Sequence, residues 1–293
     1  MVRTQTLKFN LAQRKEFDLA LPRYNLKLGQ TTKVMGILNL TPDSFSEDGI
    51  YKDPQRAKDS ALKMIDQGAD IIDVGGESTR PGAARVSSRE EKARVLPIIR
   101  KLNKETKTPI SIDTTKAEVA QAALAEGASI VNDISALKFD PRMAETVARF
   151  KAGCVLMHIQ GSPQTMQEHP FYHSLIEEII ASLTESINKA SLAGIDTKSL
   201  IIDPGIGFGK TTEHNLQIIN RLKEFTKLDL PVLIGVSRKS FIGNTLGIPV
   251  QQRLLGTAVS LAASIFNGAH IIRVHDVKEM SQVAKMVDAI LNS

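Results

Sequence analysis

The sequence of 293 residues has no tryptophan, one cysteine and few aromatic side chains, 4% in all. A lone Cys154 excludes an internal disulfide and points to a reducing compartment, so a cytoplasmic protein is expected. The shortage of aromatics weakens any model in which bases stack on the surface. No apolar run approaches the roughly 18 residues that a membrane helix needs, and the N-terminus lacks a signal-peptide core. An even spread of positive charge is missing as well. Residues 1–33 hold seven basic side chains against two acidic ones, which accounts for the whole net charge of +5. The other 260 residues are neutral overall. The high pI therefore belongs to one segment and does not describe a nucleic-acid surface.

What is present is alternation. With 42% hydrophobic and 24% charged residues, the chain has the balance of a globular protein with a sizeable core. From residue 33, eight short β-branched runs recur: 33–40, 70–76, 109–114, 129–134, 153–159, 199–205, 231–237 and 270–277. Each precedes a stretch with apolar residues at helical spacing. Met280, Val283, Ala284, Val287 and Leu291 form one such series, and Tyr172, Leu175, Ile176, Ile179, Ile180, Leu183 and Ile187 another. "QGADIID", "EGASIVND" and "NGAHIIR" repeat a Gly-Ala junction, where glycine suits the left-handed position that ends a helix.

Eight βα units in succession predict an α/β fold, a (β/α)8 TIM barrel over residues 33–293. The alternative is an open doubly wound sheet. Residues 1–32 form an N-terminal extension, in which "TLKFNL" and "YNLKLGQT" could pair as a hairpin across the barrel bottom.

Polar residues gather at the C-terminal ends of the strands: Asn39, Asp113, Asn132, Asp203, Ser237 with Arg238 and Lys239 behind it, then Arg273 and His275. That end is the active-site face of a barrel. In "HIIRVHDV" the pleat turns Ile272 and Val274 to one side and Arg273 and His275 to the other. A buried arginine needs compensation. An anionic ligand at the barrel mouth, or water in its absence, is expected to provide it.

The loops after the first two strands, "TPDSFSEDG" and "GGESTRPGA", are long enough to move over a site, and Arg80 in the second can reach an anion. "PGIGFGKTT" imitates a phosphate loop but has Pro204 where that motif needs its first glycine.

Inward carboxylates and an asparagine suit a ligand rich in N–H donors, such as an aminopyrimidine, and Lys239 adds a donor for a ring carbonyl or nitrogen. Arg80, Arg273 and His275 offer donors and positive charge for phosphate. Asn39 is a neutral oxygen ligand acceptable to Mg²⁺.

With these residues in view, the chain resembles the dihydropteroate synthases from about residue 33 onward. The resembling stretches are "MGILNLTPDSFSEDG", "IIDVGGESTRPGA", "SIDTTKAEV", "VNDIS", "LMHIQGSPQTMQ", "DPGIGFGKT", "SRKSFIG" and "GAHIIRVHDV", in order. The resemblance implies condensation of 4-aminobenzoate with (7,8-dihydropterin-6-yl)methyl diphosphate, giving 7,8-dihydropteroate and diphosphate in folate biosynthesis. It implies that Asp113, Asn132, Asp203 and Lys239 hold the pterin. Arg80, Arg273 and His275 would hold the diphosphate, and Asn39 a Mg²⁺ ion. Thr79, Phe45, Pro81 and Ser240 would shape the aminobenzoate pocket. Asp113, Lys239 and Arg273 would carry the chemistry, in a homodimer built on helices away from the loops. One departure is Asp48, where the family usually has glycine. A pterin-binding methyltransferase domain and a non-catalytic pterin-binding module are the rival readings. "STRPG", "SRKS" and "IIRVHDV" argue against the first, which needs no diphosphate site, and the presence of both long loops and of the anion pair argues against the second.

Overall fold

The computed structural model describes residues 14–41, 53–80 and 82–293. A two-stranded antiparallel hairpin comes first, β1 (Phe17–Leu21) and β2 (Tyr24–Leu28). Its second arm is the expected one. Its first is "FDLAL", and "TLKFNL" lies outside the described residues.

Eight parallel strands follow: β3 (Lys33–Asn39), β4 (Ile71–Gly75), β5 (Ile110–Asp113), β6 (Ile130–Asp133), β7 (Gly153–Met157), β8 (Leu200–Asp203), β9 (Leu233–Ile234) and β10 (Ile271–Val274). They run in the order β8-β7-β6-β5-β4-β3-β10-β9. A parallel bridge between Ile202 and Val232 joins the two ends of that row, with Ile202 N–H donating to the Pro231 carbonyl at 3.0 Å. The sheet is therefore a closed barrel, and the open doubly wound sheet is excluded. Strand β9 is shorter than the run 231–237 suggested; Pro231 has no N–H to give the ladder.

Helices alternate with the strands: α1 (Pro54–Asp66), α2 (Ser88–Glu105), α3 (Ala117–Ala125), α4 (Met143–Phe150), α5 (Leu175–Leu192), α6 (Thr212–Asn220), α7 (Ser240–Leu246), α8 (Leu254–Phe266) and α9 (Val277–Leu291). Local chemistry sets several starts. Asp53 caps α1 ahead of Pro54, and Ser87 caps α2 by accepting from Glu90 N–H. Tyr172 precedes α5 instead of lying in it; its hydroxyl donates to the Gly209 carbonyl at 2.9 Å. Gly68, Gly127 and Gly268, the three Gly-Ala junctions, have φ of 104°, 116° and 102°, a region that side chains disfavour.

The pleat divides each strand between two environments. Outward residues such as Val34, Ile72, Val74, Ile112, Val131, Leu156, Ile272 and Val274 pack beneath the helices in one large core. Inward residues form layers along the barrel axis. At the bottom Met35, Ile71, Ile130, Val155, Ile201, Leu233 and Ile271 make an apolar plug, closed by Leu19, Leu21 and Leu28 of the hairpin. Arg14 ties the chain ahead of the hairpin to α9. It donates to Asp288 Oδ1 at 2.5 Å and to the Ala269 carbonyl at 2.9 Å. Lys15 pairs with Asp229 and Lys33 with Asp70, so much of the N-terminal positive charge is matched within the fold. Among the described residues no helix is long and apolar enough to cross a membrane.

Candidate active site

Above the apolar plug the next inward layer is polar, and Arg273 stands at its centre. Its Nε donates to Asp73 Oδ2 and its Nη2 to Asp113 Oδ2, both at 2.6 Å. Burial alone would lower the guanidinium pKa; Asp73 and Asp113 more than reverse that. The compensation expected from a ligand or water thus comes from two carboxylates of the protein itself.

Asp73 was not among the residues singled out from the sequence. It is fully buried in the middle of β4. It also accepts from Asn132 Nδ2 at 3.1 Å, and its Oδ1 has no hydrogen-bond partner among the described residues. A signal was available: Asp73 interrupts "IIDVGG" on the inward face shared with Ile71, as Arg273 interrupts its own run.

Asp113 lies at the end of β5. Burial pushes its carboxyl up to about 7, with Asp73 adding to the rise and Arg273 opposing it. Asp203 is raised by burial against the pull of Lys239, and its Oδ1 accepts from Gly205 N–H at 2.7 Å. Lys239 is brought down to about 8 by burial, which Arg273 reinforces and Asp203 and Asp113 resist. Its ammonium donates to the Ile206 carbonyl and lies 4.6 Å from the centre of the Phe208 ring. The stem of Lys239 lies along Gly207, where φ is +79° and a Cβ would come within 3.1 Å of Lys239 Cδ. Glycine there gives the lysine its track.

His275 departs from one expectation. Burial, then Arg273 and Arg238, lower its pKa to about 3, so it is neutral near pH 7. It brings a directional imidazole and no positive charge. Its Nδ1 lies 3.1 Å from Ser237 Oγ. The lysine of "GFGK" does not line the cavity described below. Lys210 is buried, with Nζ 2.9 Å from His158 Nδ1 and 3.0 Å from the Phe208 carbonyl. Burial drives it far below the ordinary lysine value, and His158 to about 2. The pair is a buried strut under Phe208.

A cavity of about 660 Å³ opens at the C-terminal ends of the strands. It is lined by Asn39, Thr79, Arg80, Asp113, Lys239, Ser240, Arg273 and His275, eight of the residues singled out from the sequence. Ser237 and Arg238, also placed at the strand ends by the sequence, line it too, as do Thr41, Met166, Gln167, Phe208 and Arg253, unforeseen in that role. Asn132 and Asp203 are not in the lining. They are buried next to it, Asn132 against Asp73 and Asp203 within electrostatic reach of Lys239 and Arg273. Phe45, Asp48 and Pro81 lie outside the described residues. Among the described residues no group of three or more His, Cys, Asp and Glu side chains could hold a metal ion.

This arrangement offers two faces to one ligand. Acceptors such as Asp113 match N–H donors, and Arg80, Lys239 and Arg273 in the same lining match an anion.

Residues 35–275 match the family described as pterin binding enzyme. The chain is similar to the dihydropteroate synthase of Bacillus subtilis, with 48% identity over 267 residues and 91% of each chain covered. It is 45% identical over 260 residues to that of Escherichia coli, covering 89% of this chain and 92% of the other. Among solved structures, Yersinia pestis dihydropteroate synthase in complex with a sulfonamide drug superposes with a TM-score of 0.90 at 40% identity. That match covers 94% of this chain and all of the other. Xanthomonas albilineans dihydropteroate synthase with 4-aminobenzoic acid superposes with a TM-score of 0.86 at 39% identity, covering 94% and 99%. Both the sequence and the fold agree over nearly the full length, and the chain belongs to the dihydropteroate synthases, transferases of folate biosynthesis within the pterin-binding enzyme family.

Proposed function

We propose that the floor and the mouth of the cavity divide the reaction between them. Asp113, Asn132, Asp203 and Lys239 grip the dihydropterin ring, and Arg80, Arg273 and His275 take the diphosphate. Thr79 and Ser240, with Phe45 and Pro81, frame the ring of 4-aminobenzoate. The observation that carries this reading is one cavity lined by Asp113 together with Arg80, Lys239, Arg273 and His275.

In the reaction the bond between the pterin methylene and the diphosphate oxygen breaks, and the electron pair leaves with diphosphate. The arylamine nitrogen then bonds to the methylene and loses a proton. Charge on the leaving group grows in the transition state. Arg273, held by Asp73 and Asp113 before the reaction, and Arg80 stabilise that growth more than the ground state, and the His275 imidazole adds an N–H. Asp113, as carboxylate, stabilises the cationic character that the pterin-methyl group gains. Closure of the loops after β3 and β4 keeps water from competing with the amine.

The Asn39 side chain lines the same cavity and offers one neutral oxygen. That donor fits Mg²⁺, a hard ion that keeps several waters and takes its other ligands from phosphate. Bound there, the ion supplies neutralisation of the diphosphate charge. The purified protein with Mg²⁺ is expected to release diphosphate only when both the pterin diphosphate and 4-aminobenzoate are present. Chelation should abolish release and added Mg²⁺ restore it. Methyl transfer from a folate, or release from the pterin ester alone, would contradict the assignment.

The reading extends to a homodimer. Helix α8 has no charged residue, yet Leu255 and Val259 on it are 77% and 71% exposed. An apolar stripe away from the cavity suits a second copy of the same face. Val259→Asp is expected to sediment as a monomer at concentrations where the parent is a dimer; unchanged sedimentation would remove α8 from the interface. A single buried thiol fits a cytoplasmic setting.

A further inference from the structure

The active site leaves a buried charged cluster unexplained beside it. Glu91 on α2 has a side chain with 0% exposure, a rare place for a carboxylate. Lys116, three residues beyond Asp113, donates to Glu91 Oε2 at 2.6 Å and to Glu77 Oε2 at 2.7 Å. Glu77 opens the loop after β4. Its other oxygen, Oε1, accepts from Val86 N–H at 2.8 Å, so one carboxylate draws together chain positions nine residues apart.

The root of the loop is pressed against α2 as well. A Cβ on Gly76 would lie 2.8 Å from Val95 Cγ1 and 2.9 Å from Glu91 Cγ. Arg94 Nη1 donates to the Gly76 carbonyl at 2.8 Å. Beyond the root the support changes. Glu77, Ser78 and Thr79 line both the active-site cavity and a second cavity of about 490 Å³ next to it. Held to α2 at its root and bordered by these cavities beyond it, the loop takes the position of its tip from that root.

We propose that Lys116 is a positioning residue for the second substrate: through Glu77 it sets the loop from which Thr79 meets 4-aminobenzoate. The same lysine follows Asp113 on the next βα turn, and it links the segment that holds the pterin to the segment that frames the amine. Glu91 is the buried anchor that keeps the lysine in place. This inference rests on the assignment of Thr79 to the aminobenzoate pocket.

The test uses the full chain and four variants: Lys116→Met, Glu77→Gln, Lys116→Met/Glu91→Gln and Thr79→Ala. In the first three, KM for 4-aminobenzoate is expected to rise about tenfold or more, since small misplacements of a positioning element are costly. The limiting rate at saturating amine should fall less. Affinity for 6-hydroxymethyl-7,8-dihydropterin, which has neither the diphosphate nor the amine, should stay within about twofold. Lys116→Met alone strands the Glu91 charge and lowers the melting temperature; the double variant removes that charge and recovers the stability. If the double variant also recovers the parental KM, or if pterin affinity falls as much as amine affinity, the cluster is merely structural and the proposal is overturned. Should Lys116→Met fail to fold, Glu77→Gln and the double variant carry the same comparison. Thr79→Ala separates the two levels. An unchanged KM there overturns the substrate assignment and this inference with it. A raised KM there, with Lys116 variants like the parent, overturns this inference alone.

Discussion

Replacing Arg273 by alanine is expected to lower kcat/KM for the pterin diphosphate by about 10²–10³-fold, the size seen when a preorganised donor to developing charge is removed. The same change should destabilise the fold by about 3–5 kcal/mol, the usual result of breaking a buried ion pair from one side. Both effects have one origin. Asp73 is fully buried and Asp113 nearly so, and each has a guanidinium N–H at 2.6 Å. Without Arg273 the two carboxylates lie close together on the neighbouring strands β4 and β5 with no cation between them. Arg273→Lys should recover part of the stability and less of the activity, because one ammonium cannot reproduce a planar fork that serves two carboxylates at once. Denaturant unfolding measures the first loss and diphosphate release the second. Ligand binding assigns the role: the pterin diphosphate should weaken far more than the pterin alcohol. Equal losses for the two ligands would leave Arg273 a structural residue with no part in anion binding. Asp203→Ala should instead weaken both alike.

The triad of Asp73, Arg273 and Asp113 also marks where sequence reasoning reached its limit. Periodicity located all eight barrel strands, because each has a strictly two-residue rule: Ile272 and Val274 must meet helices, and Arg273 cannot. The Gly-Ala junctions and the polar strand ends were legible for the same local reason. Which inward residues touch is a different matter. Strand order places β3 between β10 and β4, with Arg273 level with Met35 and Met35 level with Ile71. Arg273 therefore reaches past a neighbouring strand to Asp73, and past two to Asp113. Those contacts depend on barrel closure and strand stagger, which no local pattern encodes. Asp73 escaped notice since it sits mid-strand, away from the strand ends where catalytic groups are sought. Tertiary context also decided the charge of His275. An isolated histidine beside arginines reads as an anion ligand, but burial together with those same arginines keeps it neutral. Sequence resemblance named the residues at the cavity; the barrel supplied the pairing that makes a buried arginine stable before any ligand arrives.

The two groups that meet the pterin with opposite charge, Asp113 and Lys239, should bound the pH range of activity. Asp113 must be ionised to accept from pterin N–H groups and to stabilise positive charge, and its pKa is raised to about 7. Lys239 must be protonated to donate, and its pKa is lowered to about 8. As kcat/KM reports ionisations of the free enzyme, it should rise with pH up to about 7 and fall above about 8. With one group on each limb, the rate constant at pH 5 and at pH 10 should be roughly a hundredfold below the maximum. Desolvation is the leading cause of both shifts, so they belong to the empty site and should relax once the ligand supplies partners. The profile of kcat is therefore expected to be broader than that of kcat/KM. Lys239→Arg, which keeps its charge throughout, should move the alkaline limb upward and leave the acid limb in place. The diphosphate has ionisations of its own in this range. Binding of 6-hydroxymethyl-7,8-dihydropterin, which has none of them, tests the enzyme groups separately. An affinity for that ligand that is flat between pH 5 and 10 would show that neither Asp113 nor Lys239 titrates as the burial of this site requires.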